Sequence, residues 1–394
     1  MGQGLPDKNS LFPTTTAVYQ FQTRMDPVLS LVIHEILPTE ILEMIFEEHA
    51  KLEWEAPTID GQVCRFWREI VLDTPRAWAY LEIREDSMPS NGEVRLRLHR
   101  SSSAPLHIDT RDVGLAACQE VYNLFSGHRT RIVSLRTRFS SETFFQGRDF
   151  PCLQLLDIEY WYPIRWGSMP KLQSLRLSGQ MLHTVPLSEL APLKMLTLSS
   201  IKCTSILQHS QLLTTLIISN VVLVDAISGP VTFPCLTYLS LSSVRGLKPH
   251  VNAPRLVTYH EGGVIVGESF NTPLPSLLEY GAFLTLAGHL DPAKLHFSFP
   301  NIQRLAVRAA ELVILSFFTC LANQPHSLPA LQTMSVGNAH ESSYRIAESV
   351  RERIERLVLV RNEAFNGGIV LCFESVAPFQ IPIFLGVVSD LSVK

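Results

Sequence analysis

Two hydrophobic patterns share the chain, and one gives way to the other near residue 85. In the first, Ile41, Leu42, Ile45 and Phe46 recur at helical spacing. Pro38 and Thr39 supply a start signal, and acidic Glu40 and Glu43 complement the positive end of the helix dipole. Pro57 and Gly61 punctuate the segment that follows. A second apolar stripe, Val63, Phe66, Trp67, Ile70 and Val71, predicts another helix, ended by Asp73-Thr74-Pro75, and Trp78 opens a further short apolar piece. Residues 31–84 therefore read as a small three-helix unit, which at this size is hard to seal alone. Residues 1–30, threonine-rich and without period, predict a flexible N-terminal tail.

Beyond residue 85 the pattern becomes Leu or Ile, two residues, an aliphatic, one residue, an aliphatic. Clear copies begin at Leu153, Leu172, Leu193, Leu213, Leu236, Ile302, Leu331 and Ile354, with weaker ones at Ile132, Leu256 and Leu277. Successive starts stand 19 to 29 residues apart, the period and spacing of leucine-rich repeats. The alternating half of each unit predicts a short strand with one face in the core. No unit buries that face alone, so neighbours must stack into a solenoid. A proline two positions ahead of many copies, as at Pro151, Pro170 and Pro234, suits the approach to a strand because it donates no backbone hydrogen bond. The usual Asn or Cys after the strand is replaced by Trp161, Gln180, Ile201, Val221, Val244 or Val264, which predicts an irregular solenoid. Val94 to Ile108 reads as helix, turn and strand opening the array, and apolar Ile369 to Val388 as a seal on its last turn. The expected fold class is α/β: a three-helix unit, then a leucine-rich-repeat-like solenoid over residues 85–394.

Composition narrows the function classes. Of 394 residues, 46% are hydrophobic and 18% charged, which excludes disorder of the whole chain. A formal net charge of -4 gives no basic footprint, so no nucleic-acid partner is expected. The seven cysteines are odd in number and widely scattered, as in an intracellular protein with reduced thiols. The N-terminus has no basic stretch followed by an apolar run, and Pro6 departs from the myristoylation pattern. No uncharged apolar stretch reaches the ~18 residues of a membrane helix. A cytoplasmic or nuclear protein without a membrane partner is the expectation.

Three blocks in order, LPTEILEMIF, VCRFWREIV and TPRAW, resemble an F-box of the form common among large fungal families. The resemblance covers residues 37–78. It implies docking on a Skp-type adaptor, and through it on a cullin, in an SCF-type cullin–RING ubiquitin ligase. Leu37, Pro38, Ile41, Leu42, Ile45 and Phe46 match the first adaptor-contact block, and Val63, Cys64, Trp67 and Trp78 the second. The charged segment from His49 to Gln62 departs from relatives that carry further leucines there.

No phosphate-binding loop, dinucleotide fingerprint, metalloprotease helix or nucleophile elbow occurs, and the thirteen histidines lack metal-ligand spacing. No catalytic residue, metal or cofactor is expected, and Glu352, Arg353, Glu355 and Arg356 read as a solvated helix face. For an unknown target protein, the candidate contacts are Asp157, Glu159, Arg176, Arg304 and Arg308 beside the strand aliphatics. Tyr160 and Trp161, in an aromatic run with Tyr162 and Trp166, are candidate anchors. The expected function is recruitment of that target to the ligase, with no bond chemistry of its own. A repeat scaffold that assembles no ligase is the alternative, and an enzyme with an unrecognised site a more remote one.

Overall fold

The computed structural model describes residues 37–84, 91–139, 142–145, 147–160, 167–179, 193–200, 202–203, 211–223, 231–244, 251–263, 270, 273–284, 290–338, 346–365 and 368–373. The expected tail, the aromatic run 161–166, Gln180, Ile201, Val264 and most of the expected C-terminal seal lie outside these residues.

The N-terminal unit comprises α1 (Thr39–Leu52), α2 (Ala56–Val63), α3 (Arg65–Leu72) and a 3-10 turn at Pro75–Ala79. Next come β1 (Tyr80–Glu82), α4 (Asn91–Arg100), β2 (Leu106–Thr110), α5 (Leu115–Phe125), a 3-10 turn at Ser126–Arg131, β3 (Ile132–Phe139) and α6 (Glu142–Phe145). The middle repeats supply β4 (Leu155–Tyr160), β5 (Ser174–Ser178), β6 (Met195–Ser199), β7 (Lys202–Cys203), β8 (Thr215–Ser219), β9 (Val222–Leu223) and β10 (Val231–Thr232). They continue with β11 (Tyr238–Ser242), β12 (Val251–Asn252), β13 (Thr258–Gly263) and β14 (Glu279–Leu284). The described chain closes with α7 (Pro292–Ser298), β15 (Arg304–Ala309), α8 (Glu311–Asn323), β16 (Thr333–Asn338), α9 (Glu348–Phe365) and β17 (Val370–Phe373).

Thirteen strands make one sheet in the order β1-β2-β3-β4-β5-β6-β8-β11-β13-β14-β15-β16-β17, with neighbours parallel throughout. Two small parallel pairs, β7 with β9 and β10 with β12, lie outside it. The architecture is mixed α/β, organised around a parallel β-solenoid. Register explains why the repeat spacing is obeyed. Leu135, Leu156, Leu175, Leu196, Leu216 and Leu239 stand side by side in one buried column, and Ile158, Leu177, Leu198, Ile218 and Leu241 form the next. A slip of one residue would turn both columns outward.

Each repeat proline sits in a turn rather than at the strand itself. The residue before it accepts a bond from the first leucine of the motif, as in Leu153 N–H to Phe150 O at 3.2 Å, Leu172 to Met169 at 3.1 Å and Leu256 to Ala253 at 3.1 Å. Proline's fixed φ suits the second position of such a turn, while the residue before it is buried.

At the other end of the strands, the conformation replaces the missing Asn. Ser200, Asn220 and Ser243 adopt left-handed φ of 55°, 52° and 54°. Their N–H groups bond Ser219 O, Ser242 O and Gly262 O of the next strand at 2.9, 2.8 and 2.8 Å. The ladder thus runs one residue beyond each strand, and Val221, next in line, is buried.

Two expected elements differ. The stripe from Val63 to Val71 is not one helix: Val63 ends α2, and extended Cys64, with φ -157°, caps α3 by accepting the Trp67 N–H on Sγ at 3.4 Å. Pro57 is tolerated because it falls in the first turn of α2. The copy beginning at Ile354 lies inside α9, where Ile354 and Val358, four apart, are buried and Leu359 faces out. Helical periodicity overrode the strand motif there. The sheet begins at Tyr80, ahead of residue 85.

Candidate interaction surfaces

The N-terminal unit sorts its apolar side chains into two sets. Leu42, Phe46, Ala50, Ile70, Val71, Ala77 and Trp78 form its core, with Leu37, Phe66 and Trp67 packed against it. Phe46 and Trp67 meet edge-to-face at 5.1 Å, and the Trp78 indole N–H donates to Val71 O at 2.7 Å. Of the ten residues matched to the adaptor-contact blocks, Leu42, Phe46 and Trp78 are therefore core. Leu37, Cys64 and Trp67 are half-buried, while Pro38, Ile41, Ile45 and Val63 are exposed.

Further exposed side chains were not singled out by sequence. Met44, Leu52 and Ile59 are 61%, 87% and 43% exposed. Ile41, Ile45 and Leu52 share a stripe of α1, since eleven residues make about three helical turns, and Met44 borders it. On α2, Ile59 and Val63 stand one turn apart. For α1 the signal was present: Met44 and Leu52 lie off the Leu42–Phe46–Ala50 line on the helix.

The outward face of the sheet carries the second candidate surface. Glu82, Asp109, Arg136, Asp157 and Arg176 are successive register partners, so charges alternate in sign from β2 to β5. Asp109 pairs with Arg111 at 2.7 Å and Arg136 at 3.9 Å, Asp157 with Arg176 at 3.7 Å, and Glu159 with Arg138 at 3.8 Å. Asp157 is buried, and burial raises its carboxyl above the usual range although three arginines pull it down. From β6 to β13 the outward positions carry no acidic or basic side chain other than His260, whose imidazole burial holds towards the neutral form: Met195, Thr197, Ser199, Thr215, Ile217, Ser219, then Tyr238, Ser240, Ser242, Thr258 and Gly262. Tyr238 and His260 rings lie 5.5 Å apart there. Arg304 pairs with Glu279 at 3.1 Å, and Arg308 is buried further along β15.

The candidate target contacts thus fall apart into groups. Asp157, Glu159 and Arg176 share one charged block. Arg304 and Arg308 belong to another, across the uncharged strands. Tyr160 ends β4, and Trp161 lies outside the described residues. A core position breaks the aliphatic rule as well. Glu261, in register with Leu241, is buried and accepts hydrogen bonds from Tyr259 Oη at 2.8 Å and from Tyr280 Oη.

Cys64, Cys118, Cys152, Cys235, Cys320 and Cys372 are free thiols. Among the described residues no cluster of three or more His, Cys, Asp or Glu could hold a metal, and no helix is long and apolar enough to cross a membrane. No protein-family model matches the chain, and no curated protein does.

Proposed function

We propose that the protein is a substrate-recruiting subunit of an SCF-type cullin–RING ubiquitin ligase, docking a Skp-type adaptor through its N-terminal helices and a target protein through its repeats. The observation that carries this reading is the exposed apolar set on the helical unit. Pro38, Ile41, Ile45 and Val63 lie within the F-box-like blocks yet take no part in the unit's own core. Exposed aliphatics grouped on so small a unit support an interaction surface there. Met44, Leu52 and Ile59 are further exposed apolar side chains on the same two helices. Leu42, Phe46 and Trp78 act by holding α1 and α3 in place.

On this reading the leucine-rich-repeat-like face holds the target. Tethering raises the effective concentration of target lysines beside a charged conjugating enzyme, and no bond chemistry falls to this chain. Asp157, Arg176, Arg304 and Arg308 are proposed target contacts, together with Glu159, Tyr160 and Trp161. Ion pairs already made on the face make the first block costly to rearrange, so the uncharged strands between are the easier surface to desolvate.

The test is co-purification of the full chain with a Skp-type adaptor, beside an Ile45→Asp/Val63→Asp variant checked for folding by circular dichroism. Binding by the wild type that the variant loses supports the docking surface. A folded wild type that recovers no adaptor overturns it. Adaptor binding with no cullin in the complex would favour the repeat scaffold instead.

A further inference from the structure

The helical unit and the solenoid have separate apolar cores. Leu42, Phe46, Ile70 and Trp78 belong to one cluster, while Leu81, Leu98, Leu106 and the repeat aliphatics belong to the other. Besides the continuous chain through Trp78, Ala79 and Tyr80, a buried cation joins the two. Arg97 lies on α4, which packs into the solenoid core through Val94 and Leu98, yet its side chain points into the helical unit and is only 1% exposed. Its Nη1 donates to Trp54 O at 2.7 Å, and its Nη2 to Thr58 Oγ1 at 3.2 Å and to Glu93 of its own helix at 3.4 Å. The guanidinium lies 4.4 Å from the Trp54 ring and 5.5 Å from that of Trp78, whose ring is also 4.4 Å from the Arg100 guanidinium. Rings and cations therefore alternate across the junction, and one fork reaches the turn before α2, α2 itself and the 3-10 turn. Beside it, His107 of β2 stacks on Tyr80 at 4.6 Å.

We propose that Arg97 is a positioning residue that fastens the helical unit to the first turn of the solenoid, so that the apolar docking surface and the strand face move as one body. A planar fork with several donors suits three directions at once, whereas an ammonium offers a point charge without the stacking plane. Trp54 and Trp78 give it two faces to lie between. A buried charge with these partners is costly to leave half-satisfied, so the junction has one arrangement rather than a range. The fastening stands whatever binds either surface. Its use, holding a target at a fixed place relative to the adaptor, rests on the proposed function.

The experiment is hydrogen–deuterium exchange with mass spectrometry on the full chain, paired with small-angle X-ray scattering. Wild type is compared with Arg97→Ala, Arg97→Lys and the exposed-site control Arg95→Ala. For Arg97→Ala, peptides covering residues 54–60 and 77–82 are expected to exchange at least about tenfold faster, the equivalent of losing one hydrogen bond to a charged group. Peptides from β6 to β13 should be unchanged, and the scattering should broaden as the unit swings. Arg97→Lys should fall between, because bulk alone, which lysine largely keeps, would give full rescue whereas the lost fork would not, and it decides the matter if Arg97→Ala fails to fold. Unchanged exchange at the junction in Arg97→Lys, or loss of protection spread evenly over the whole chain, overturns the proposal. No adaptor enters these measurements, so a failure of the ligase reading would leave their outcome standing.

Discussion

Exposure divides the adaptor-block residues into two classes, and Leu42→Ala against Ile45→Ala tests the division with neighbours three residues apart on one helix. Leu42 is fully buried in the small core beside Phe46. Its truncation removes apolar contact and leaves a cavity in a unit with little else to collapse into it, a loss of ~3 kcal/mol within the range for buried leucines. Ile45 is 43% exposed. About half of its side chain already faces water, so truncation forfeits only about half of the ~2 kcal/mol of full burial, or ~1 kcal/mol. Urea unfolding followed by tryptophan fluorescence measures both, because Trp67 and Trp78 belong to the same cluster. If the proposed function holds, adaptor binding should rank them the other way once stability is accounted for: Ile45→Asp should abolish it in a folded chain, while Leu42→Val, which keeps most of the core, should retain it. Ile45→Ala costing as much in urea as Leu42→Ala would refute the division, and with it the reading of Ile45 as a spare anchor.

Three further outcomes are expected. His107 is held neutral, its pKa pushed down to about 4 by burial and then by Lys51 and Arg136. The unfolded chain takes up that proton near pH 6.5, so stability falls as pH drops from about 6.5 towards 4. Wild type should lose ~2 kcal/mol more than His107→Phe between pH 7 and 4.5 in urea titrations, and equal losses would remove His107 from the account. Tyr280→Phe takes one donor from buried Glu261 and should cost ~2 kcal/mol. In the double variant with Glu261→Leu the two costs should fall short of their sum by ~1 kcal/mol or more, since Tyr280 and Glu261 hydrogen-bond directly. Ser243, at φ 54°, sits where a side chain is disfavoured. Ser243→Gly should therefore raise stability by ~0.5–1 kcal/mol and Ser243→Val lower it, a pair read by thermal unfolding.

The repeat was legible because its physics is local and redundant. Each strand buries two aliphatics and a leucine from the turn before, so the spacing is imposed again in every copy. Where copies looked weak, the solenoid continued with other chemistry: Tyr259, Glu261, Tyr280 and Ala282 hold the positions that aliphatics hold elsewhere. A pattern search weights aliphatics and passes over a carboxylate that two tyrosines satisfy. The opposite failure came at Ile354. Its spacing fits the repeat motif, but Glu352, Arg353, Glu355 and Arg356 around it make a helix with one buried line. The turn after each strand was illegible for another reason. The sequence there, Ser200, Asn220 and Ser243, carries no single residue type, and what is shared is a backbone conformation that donates to the next strand.

For the candidate surfaces, sequence offered blocks of residues and no orientation. Resemblance can match ten residues of the helical unit, but a helix presents each residue to core or solvent according to its angle, and motif order carries no angle. Leu42 and Ile45 look equivalent in a string and are opposites in the fold. Arg97 is the harder case. In sequence it is one of three arginines in a charged helix, Arg95, Arg97 and Arg100, a composition that reads as solvated surface. Its burial depends on Trp54 and Trp78, which lie in different elements of another unit, so nothing within one helical period marks it. Two tryptophans and one arginine become informative together only when the junction brings them into contact. That is why the contact between the helical unit and the solenoid was hidden in sequence, while the apolar patterns of each were not.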